Sequence, residues 1–300
     1  MQLAADDRVA TRPDGDATIE AGFFGPEDAR LFGSLHIPLG SPTAGVLVCS
    51  PLHADFVKNY RSEVQLARRL ADRGFAVLRF HYRGQGHSDR EPSDITFSSL
   101  VDDAVLALED LRSRTGVERV GFMGCRLGGL VAAAAASKVE GAPLVLWEPV
   151  VRPDSYVREA IRSKTISALS GSATNGMSSE ALMRSLDEQG SMDIHGYPIF
   201  RDLVRSLEGR SLAGEVGDEP RPVHVIQISR GSAIRRDLAE VADDWSQLGF
   251  AADVRRVSGD VAWWFRGAGS AREEPEALTN EVVTDSADWM TVQLESTSKT

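Results

Sequence analysis

One short segment carries the spacing from which chemistry can be argued. In VERVGFMGCRLGGLVAAA, residues 117–134, an apolar run ends at Gly124 and a small-residue helix opens with Gly128 and Gly129. Glycines flanking the turn permit a tight, strained backbone, with Arg126 midway between Gly124 and Gly128. An arginine there offers a planar fork of donors that stays charged across the working pH range. The helix beginning just after it adds its positive end, and Leu127 its backbone N–H. Together these suit a carboxylate, a phosphate or a developing enolate. A competing reading pairs Arg126 with Glu148, at the end of the strand expected next to it. The two coexist if Glu148 orients one edge of the guanidinium while a ligand meets the other.

Other reactive residue types are few. Cys49 and Cys125 are the only cysteines; they close adjacent strands and read as a buried, reduced pair, with a reactive thiol at Cys125 as the rival. His53 follows an earlier strand and could move a proton near neutral pH, or face solvent. His195 reads as a surface residue, and His81 and His87 as partners for backbone groups around the turn RGQG. No histidine or cysteine spacing suits a metal, and neither phosphate-binding glycine motif is present. The expectation is therefore no metal and no cofactor.

These residues need a scaffold, and 300 residues at 42% hydrophobic and 26% charged can build a sizeable core. A net charge of -11 disfavours nucleic acid and anionic membrane as partners. No run approaches the roughly 18 apolar residues of a membrane span. The amino terminus lacks a basic start followed by an apolar run, so a cytoplasmic location is expected. The expected partner is a small-molecule or peptide substrate, free or carrier-bound, and a homodimer is a compatible assembly.

Strand patterns at 44–50, 75–80, 117–124, 142–149, 222–229 and 250–257 alternate with helix patterns at 62–74, 98–116, 127–138, 237–249 and 276–294. Such alternation predicts a mostly parallel sheet with helices on both faces. DATIEAGFF and RLFGSLHIP read as an antiparallel pair at one edge, and the first fifteen or so residues as frayed. Residues 151–218 interrupt the alternation with a Ser- and Arg-rich helical stretch. They divide the chain into a core, 1–150 with 219–300, and a cap or lid over the carboxyl ends of the strands. Ile161, Leu182, Met183, Tyr197 and Phe200 are expected on its inner face.

The strand–turn–helix at 117–134 resembles the nucleophile elbow, G-x-S-x-G, of the α/β-hydrolase superfamily. CSPLHADFVKNYRSEVQLARRLADRGFAVLRFHYRGQGHSD is similar to the oxyanion loop, first helix and next strand of serine aminopeptidase-type members, with His81 replacing the acid of their D-x-R-G-x-G-x-S turn. LWEPVV, DIHGYPIF and WWF resemble small hydrolase-like proteins associated with bacterial exosortase systems, some of which carry R-L-G in place of S-x-G. The resemblance implies an α/β-hydrolase fold with a helical cap, and an oxyanion hole built from Leu127 and the Leu52–His53 loop.

It also implies a triad that this chain lacks. Arg126 stands at the nucleophile position, Ser232 and Ala233 stand where the acid belongs, and no histidine lies beyond His224. Ordinary Ser-His-Asp hydrolysis is not expected. The expected function is a non-hydrolytic enzyme acting on a carboxylate- or carbonyl-bearing molecule by epimerase, lyase or acyl-transfer chemistry, in a biosynthetic pathway. Arg126, His53 and Glu148 are its expected catalytic residues. Leu52, Cys125, Leu127, Tyr197, Trp263 and Trp264 are its expected substrate contacts. The alternatives are an inactive accessory protein holding an acyl chain, peptide or carrier, and a thioesterase using Cys125.

Overall fold

The computed structural model describes residues 8–14, 17–169, 178–194, 196–259 and 274–296. The strands are β1 (Arg8–Asp14), β2 (Ala17–Phe24), β3 (Leu31–Pro38), β4 (Ala44–Cys49), β5 (Phe75–Phe80), β6 (Val120–Cys125), β7 (Leu144–Trp147), β8 (Ser191–Ile194), β9 (Tyr197–Phe200), β10 (Pro222–Ser229) and β11 (Ala251–Ser258). The helices are α1 (His53–Ala71), α2 (Phe97–Thr115), α3 (Leu127–Ala136), α4 (Pro153–Leu169), α5 (Ser179–Gln189), α6 (Arg201–Ser206), α7 (Leu212–Val216), α8 (Arg236–Gln247) and α9 (Glu274–Ser296).

Among the described residues nine strands form one sheet in the order β1-β2-β3-β5-β4-β6-β7-β10-β11. From β5 onward every pairing is parallel, while β1, β2 and β3 join antiparallel at one edge. Strands β4, β5, β6 and β7 are buried at every position, as expected where helices cover both faces. Leu66, Ala67 and Leu70 of α1 and Val282, Ala287 and Met290 of α9 pack on one face. Helices α2, α3 and α8 cover the other. None of the described helices is long and apolar enough to cross a membrane.

Two elements differ from the sequence expectation. Residues 8–14, read as frayed, form β1, paired antiparallel with β2. Pro13 weakens the strand signal, but an edge strand tolerates proline because one side of its ladder is unpaired. Helix α1 starts at His53, nine residues before the apolar pattern begins. Its buried face is polar at first, through Asp55, Asn59, Ser62 and Glu63, and turns apolar only from Leu66. A search for apolar periodicity cannot see those first turns.

Between β7 and β10 the chain leaves the sheet for α4, α5, α6 and α7. The stretch is not wholly helical, since β8 and β9 form a separate antiparallel hairpin. Ile161, Leu182 and Ile199 are buried, and Met183 packs against the same cluster.

The elbow is built by main chains in contact. A Cβ at Gly128 would collide with the carbonyl oxygens of Cys49 and Ser50, and one at Gly124 with the backbone of Gly128 and Gly129. Neither neighbour can rotate away, because both are backbone. Gly128→Ala should therefore destabilise the protein by about 3 kcal/mol or more, at the upper end for overpacking. Gly74→Ala is no fair control, because its φ is +89°. Gly40→Ala, where a Cβ meets nothing within 4 Å, should be close to neutral, and paired thermal melts of the two variants check this.

Candidate functional site

Three neighbouring strands end in strained residues. Among the described residues four non-glycines have positive φ, and three of them follow β4, β6 and β7: His53 at 54°, Arg126 at 52° and Glu148 at 42°. Such conformations cost about 1–3 kcal/mol each and persist where the surroundings over-determine them, often at functional sites. At Arg126 the surroundings are explicit. Its N–H donates to the Trp147 carbonyl at 3.0 Å, and its own carbonyl accepts from Gly129 at 3.0 Å and Val150 at 3.3 Å.

The Arg126 side chain is buried, with 6% of it exposed. Nε lies 3.5 Å from Asp55 Oδ2, and Nη2 lies 3.9 Å from Glu159 Oε2. Nη1 donates to the main-chain oxygen of Glu148 at 3.4 Å, and the guanidinium sits 5.6 Å from the centre of the Tyr156 ring. The Tyr156 hydroxyl donates to Asp55 Oδ2 at 3.4 Å. Charge-assisted hydrogen bonds normally run about 2.7–2.9 Å, so these contacts hold the guanidinium loosely. It lies between two spaces. One is a cleft of about 780 Å³ lined also by Val150, Arg152, Ser155, Arg235 and Asp237. The other is a cavity of about 50 Å³ shared with His53, Asp55, Tyr156, Ile194, Tyr197 and Ile199.

The expected Arg126–Glu148 side-chain pair is corrected by this geometry. The Glu148 carboxylate accepts from the Ile228 N–H and, at 3.0 Å, from Arg235 Nη1. Arg126 donates instead to the main-chain oxygen of Glu148. The reason is the sheet order: β7 lies beside β10, so the end of β7 meets the amide of Ile228 and the loop that carries Arg235. Arg235 also grips Asp237 with Nε at 3.0 Å and Nη2 at 3.1 Å. Burial pushes the Glu148 carboxyl up, while Ile228, Arg235 and Arg126 pull it down.

His53 is the first residue of α1 and lines the small cavity. Burial lowers its imidazole to about 4, so the ring is neutral at pH 7. Leu52 caps α1 and Leu127 opens α3, and both are buried. The contact of Gly128 with Cys49 and Ser50 sets the loop after β4 against the first turn of α3. Tyr197 lines the small cavity. Trp263, Trp264 and His195 lie outside the described residues.

Cys125 is fully buried among Met123, Val145 and Trp147, on the face covered by α1 and α9, whereas Cys49 packs in the opposite cluster. The two thiols therefore point to opposite sides of the sheet. Burial pushes the Cys125 thiol well above its usual range, which removes the thiolate a nucleophile needs. His81 accepts from the His87 N–H at 3.1 Å and packs against Phe32 and Phe56, serving backbone and core. No group of three or more metal-ligating side chains occurs among the described residues.

Asp55, Tyr156, Glu159 and Arg235 are members of this site that the sequence reading missed. Tyr156 and Glu159 stand three apart on α4 and so share a face. Asp55 falls two residues after His53, in the first turn of α1. Those spacings were available, but which helix faces meet Arg126 was not.

The sequence model of the serine aminopeptidase family, S33, matches residues 46–191. No curated protein matches the chain significantly. Est1E from Butyrivibrio proteoclasticus, solved with ferulic acid bound, superposes at a TM-score of 0.60 and 17% identity, covering 89% of this chain and 98% of its own. A proline iminopeptidase-related protein from Thermus thermophilus gives 0.58 at 19% identity, with 92% and 99% covered. Alpha/beta hydrolase domain-containing protein 10 from mouse gives 0.56 at 16%, with 90% and 98% covered. Identities this low speak for the fold. With the sheet order and the elbow, they give this chain the α/β-hydrolase fold.

The buried imidazoles give a pH dependence with a definite sign. His53 and His81 both titrate at about 4 in the fold, below the 6.5 of a free imidazole. The unfolded chain thus binds protons first as pH falls. Stability from keeping both rings neutral is present above about 6.5 and is lost as pH falls towards 4. The melting temperature should decline across that interval, and His53→Gln and His81→Asn should each flatten part of the decline. An undiminished decline in the double variant would assign it to other groups.

Proposed function

We propose that this chain is an enzyme that binds a carboxylate- or carbonyl-bearing small molecule or peptide at Arg126 and stabilises negative charge there without forming an acyl-enzyme. The observation that carries this reading is the position of Arg126, a buried guanidinium at the tip of the elbow that lines the cleft of about 780 Å³. In a hydrolase that tip would present the nucleophile. Arginine has no nucleophilic oxygen or sulfur to offer, but it can hold an oxyanion by two parallel hydrogen bonds. The first N–H groups of α3 lack intrahelical partners and support the same charge. The chemistry that fits is proton abstraction next to a carbonyl, elimination or acyl transfer between bound groups, in keeping with a biosynthetic step. The excursion spanning residues 151–218 serves as a lid whose hairpin, through Ile194, Tyr197 and Ile199, meets the part of the substrate beyond the anion.

The division of partners supports an anchoring role. Glu148 is satisfied by Arg235 and Ile228, so Arg126 is not needed to neutralise it. Arg126→Gln should cost only about 1–2 kcal/mol of stability, since Asp55 can take up a proton once its partner is gone. Arg235→Ala should cost more, about 2–4 kcal/mol, because it removes the charged partner of the Glu148 side chain, which is 1% exposed. Melting both variants tests the ranking, and the reverse order would make Arg126 the structural residue.

Turnover is tested directly. Purified protein should hydrolyse 4-nitrophenyl acetate and butyrate no faster than background, because nucleophile, acid and histidine act as a unit, and this sequence has arginine at the elbow tip and no histidine beyond His224. Esterase-level turnover, lost on Cys125→Ser, would replace this reading with a thiol mechanism.

A further inference from the structure

The group best placed to work with Arg126 is Asp55. Its side chain is 9% exposed, its Oδ2 lies 3.5 Å from Arg126 Nε, and it accepts from the Tyr156 hydroxyl at 3.4 Å. The charged and titratable groups around it come from three elements: Lys58 and His53 from α1, Arg126 from the elbow, and Tyr156 with Glu159 from α4. His53 is neutral there, and Glu159 is drawn to Arg126 rather than to Asp55. Burial pushes the Asp55 carboxyl up, and the charges of Arg126 and Lys58, with the hydrogen bonds of Arg126 and Tyr156, pull it back. Its ionisation therefore depends on how much of the Arg126 charge it can claim.

The same guanidinium lines both the open cleft and the small cavity that holds Asp55. An anion arriving from the cleft competes with Asp55 for the guanidinium that both spaces share. A second carboxylate against that guanidinium raises the electrostatic cost of keeping the buried Asp55 ionised, with Lys58 the other cation acting on it.

We propose that this site takes up its anionic substrate together with one proton, the anion docking on Arg126 and the proton going from solvent to the Asp55 carboxylate, which makes Asp55 the acid of the site. The inference rests on Arg126 as the anion anchor. The balance is simple: one carboxylate anion and one proton enter, Asp55 becomes a neutral carboxylic acid, and the net charge of the pocket does not change. No bond of the substrate breaks in this step. The Asp55 O–H, facing the small cavity on the other side of Arg126, is then a donor for a substrate oxygen that reaches that cavity and gains negative charge during reaction. Monocarboxylates are favoured over dianions, because one exchangeable carboxylate can compensate one added charge.

Benzoate is the probe, read by isothermal titration calorimetry at pH 7 in buffers of different ionisation enthalpy. The wild-type protein should absorb close to one proton per benzoate, with affinity rising up to about tenfold per unit fall in pH over the coupled range. Asp55→Asn should bind benzoate with no proton uptake and with affinity independent of pH. Binding by the wild type without uptake, or uptake unchanged in Asp55→Asn, overturns the proposal and leaves the anchor intact. Benzoate affinity unchanged by Arg126→Gln overturns the anchor instead. A carbon-13 titration of the Asp55 carboxyl needs no ligand: Arg126→Gln should move its midpoint upward. An unmoved midpoint overturns the proposal even if benzoate does not bind or Asp55→Asn does not fold.

Discussion

Backbone packed directly on backbone at residues 124–128 is the constraint from which the rest of the site follows. The carbonyls of Cys49 and Ser50 press on Gly128, and Gly124 presses on the first turn of α3. With no Cβ to hold them apart, β4, β6 and α3 approach closely enough to force the turn between them. Arg126 absorbs the resulting strain at φ 52°, and its main chain is pinned across to Trp147 and Val150. A side chain held this way can only project from the carboxyl ends of the strands. The fold thus decides where residue 126 points, and its chemical type decides what that position can do.

The charges around the elbow then divide into two pairs of different character. Glu148 with Arg235 is tight at 3.0 Å, and it is reinforced by the Ile228 amide and by the hold of Arg235 on Asp237. It ties the end of β7 to the loop after β10. Arg126 with Asp55 is longer, at 3.5 Å, and Arg126 borders open space on two sides. Buried ion pairs are poor sources of net stability because desolvation offsets most of the attraction. A tight pair can serve as a brace between strand ends, whereas a loose one can exchange its carboxylate for another anion at modest cost.

Burial also sorts the reactive side chains by face. Cys49 pairs with Gly124 in the β4–β6 register, one residue short of Cys125, and that single step of the pleat sends the two thiols to opposite clusters. Cys125 ends in an apolar layer under α1 and α9 that suppresses its thiolate. His53 loses its charge to the same cause. Among these groups only the guanidinium keeps its charge when buried, since an arginine side chain does not deprotonate in proteins.

The sequence by itself determined the alternating sheet and its helices, the elbow and the residue at its tip, because each is a local pattern: apolar runs, helical spacing, glycines four apart. It also determined the absence of a histidine beyond His224, which no fold can supply. Only the tertiary structure decided which partner each charge has. Glu148 was the nearest acid by strand order, yet its carboxylate went to Arg235, 87 residues away, because β10 lies beside β7. Asp55 came to Arg126 from 71 positions earlier because α1 opens with a polar buried face. Ion pairing depends on distances of a few ångströms between side chains remote in sequence, and no periodicity or local spacing encodes them.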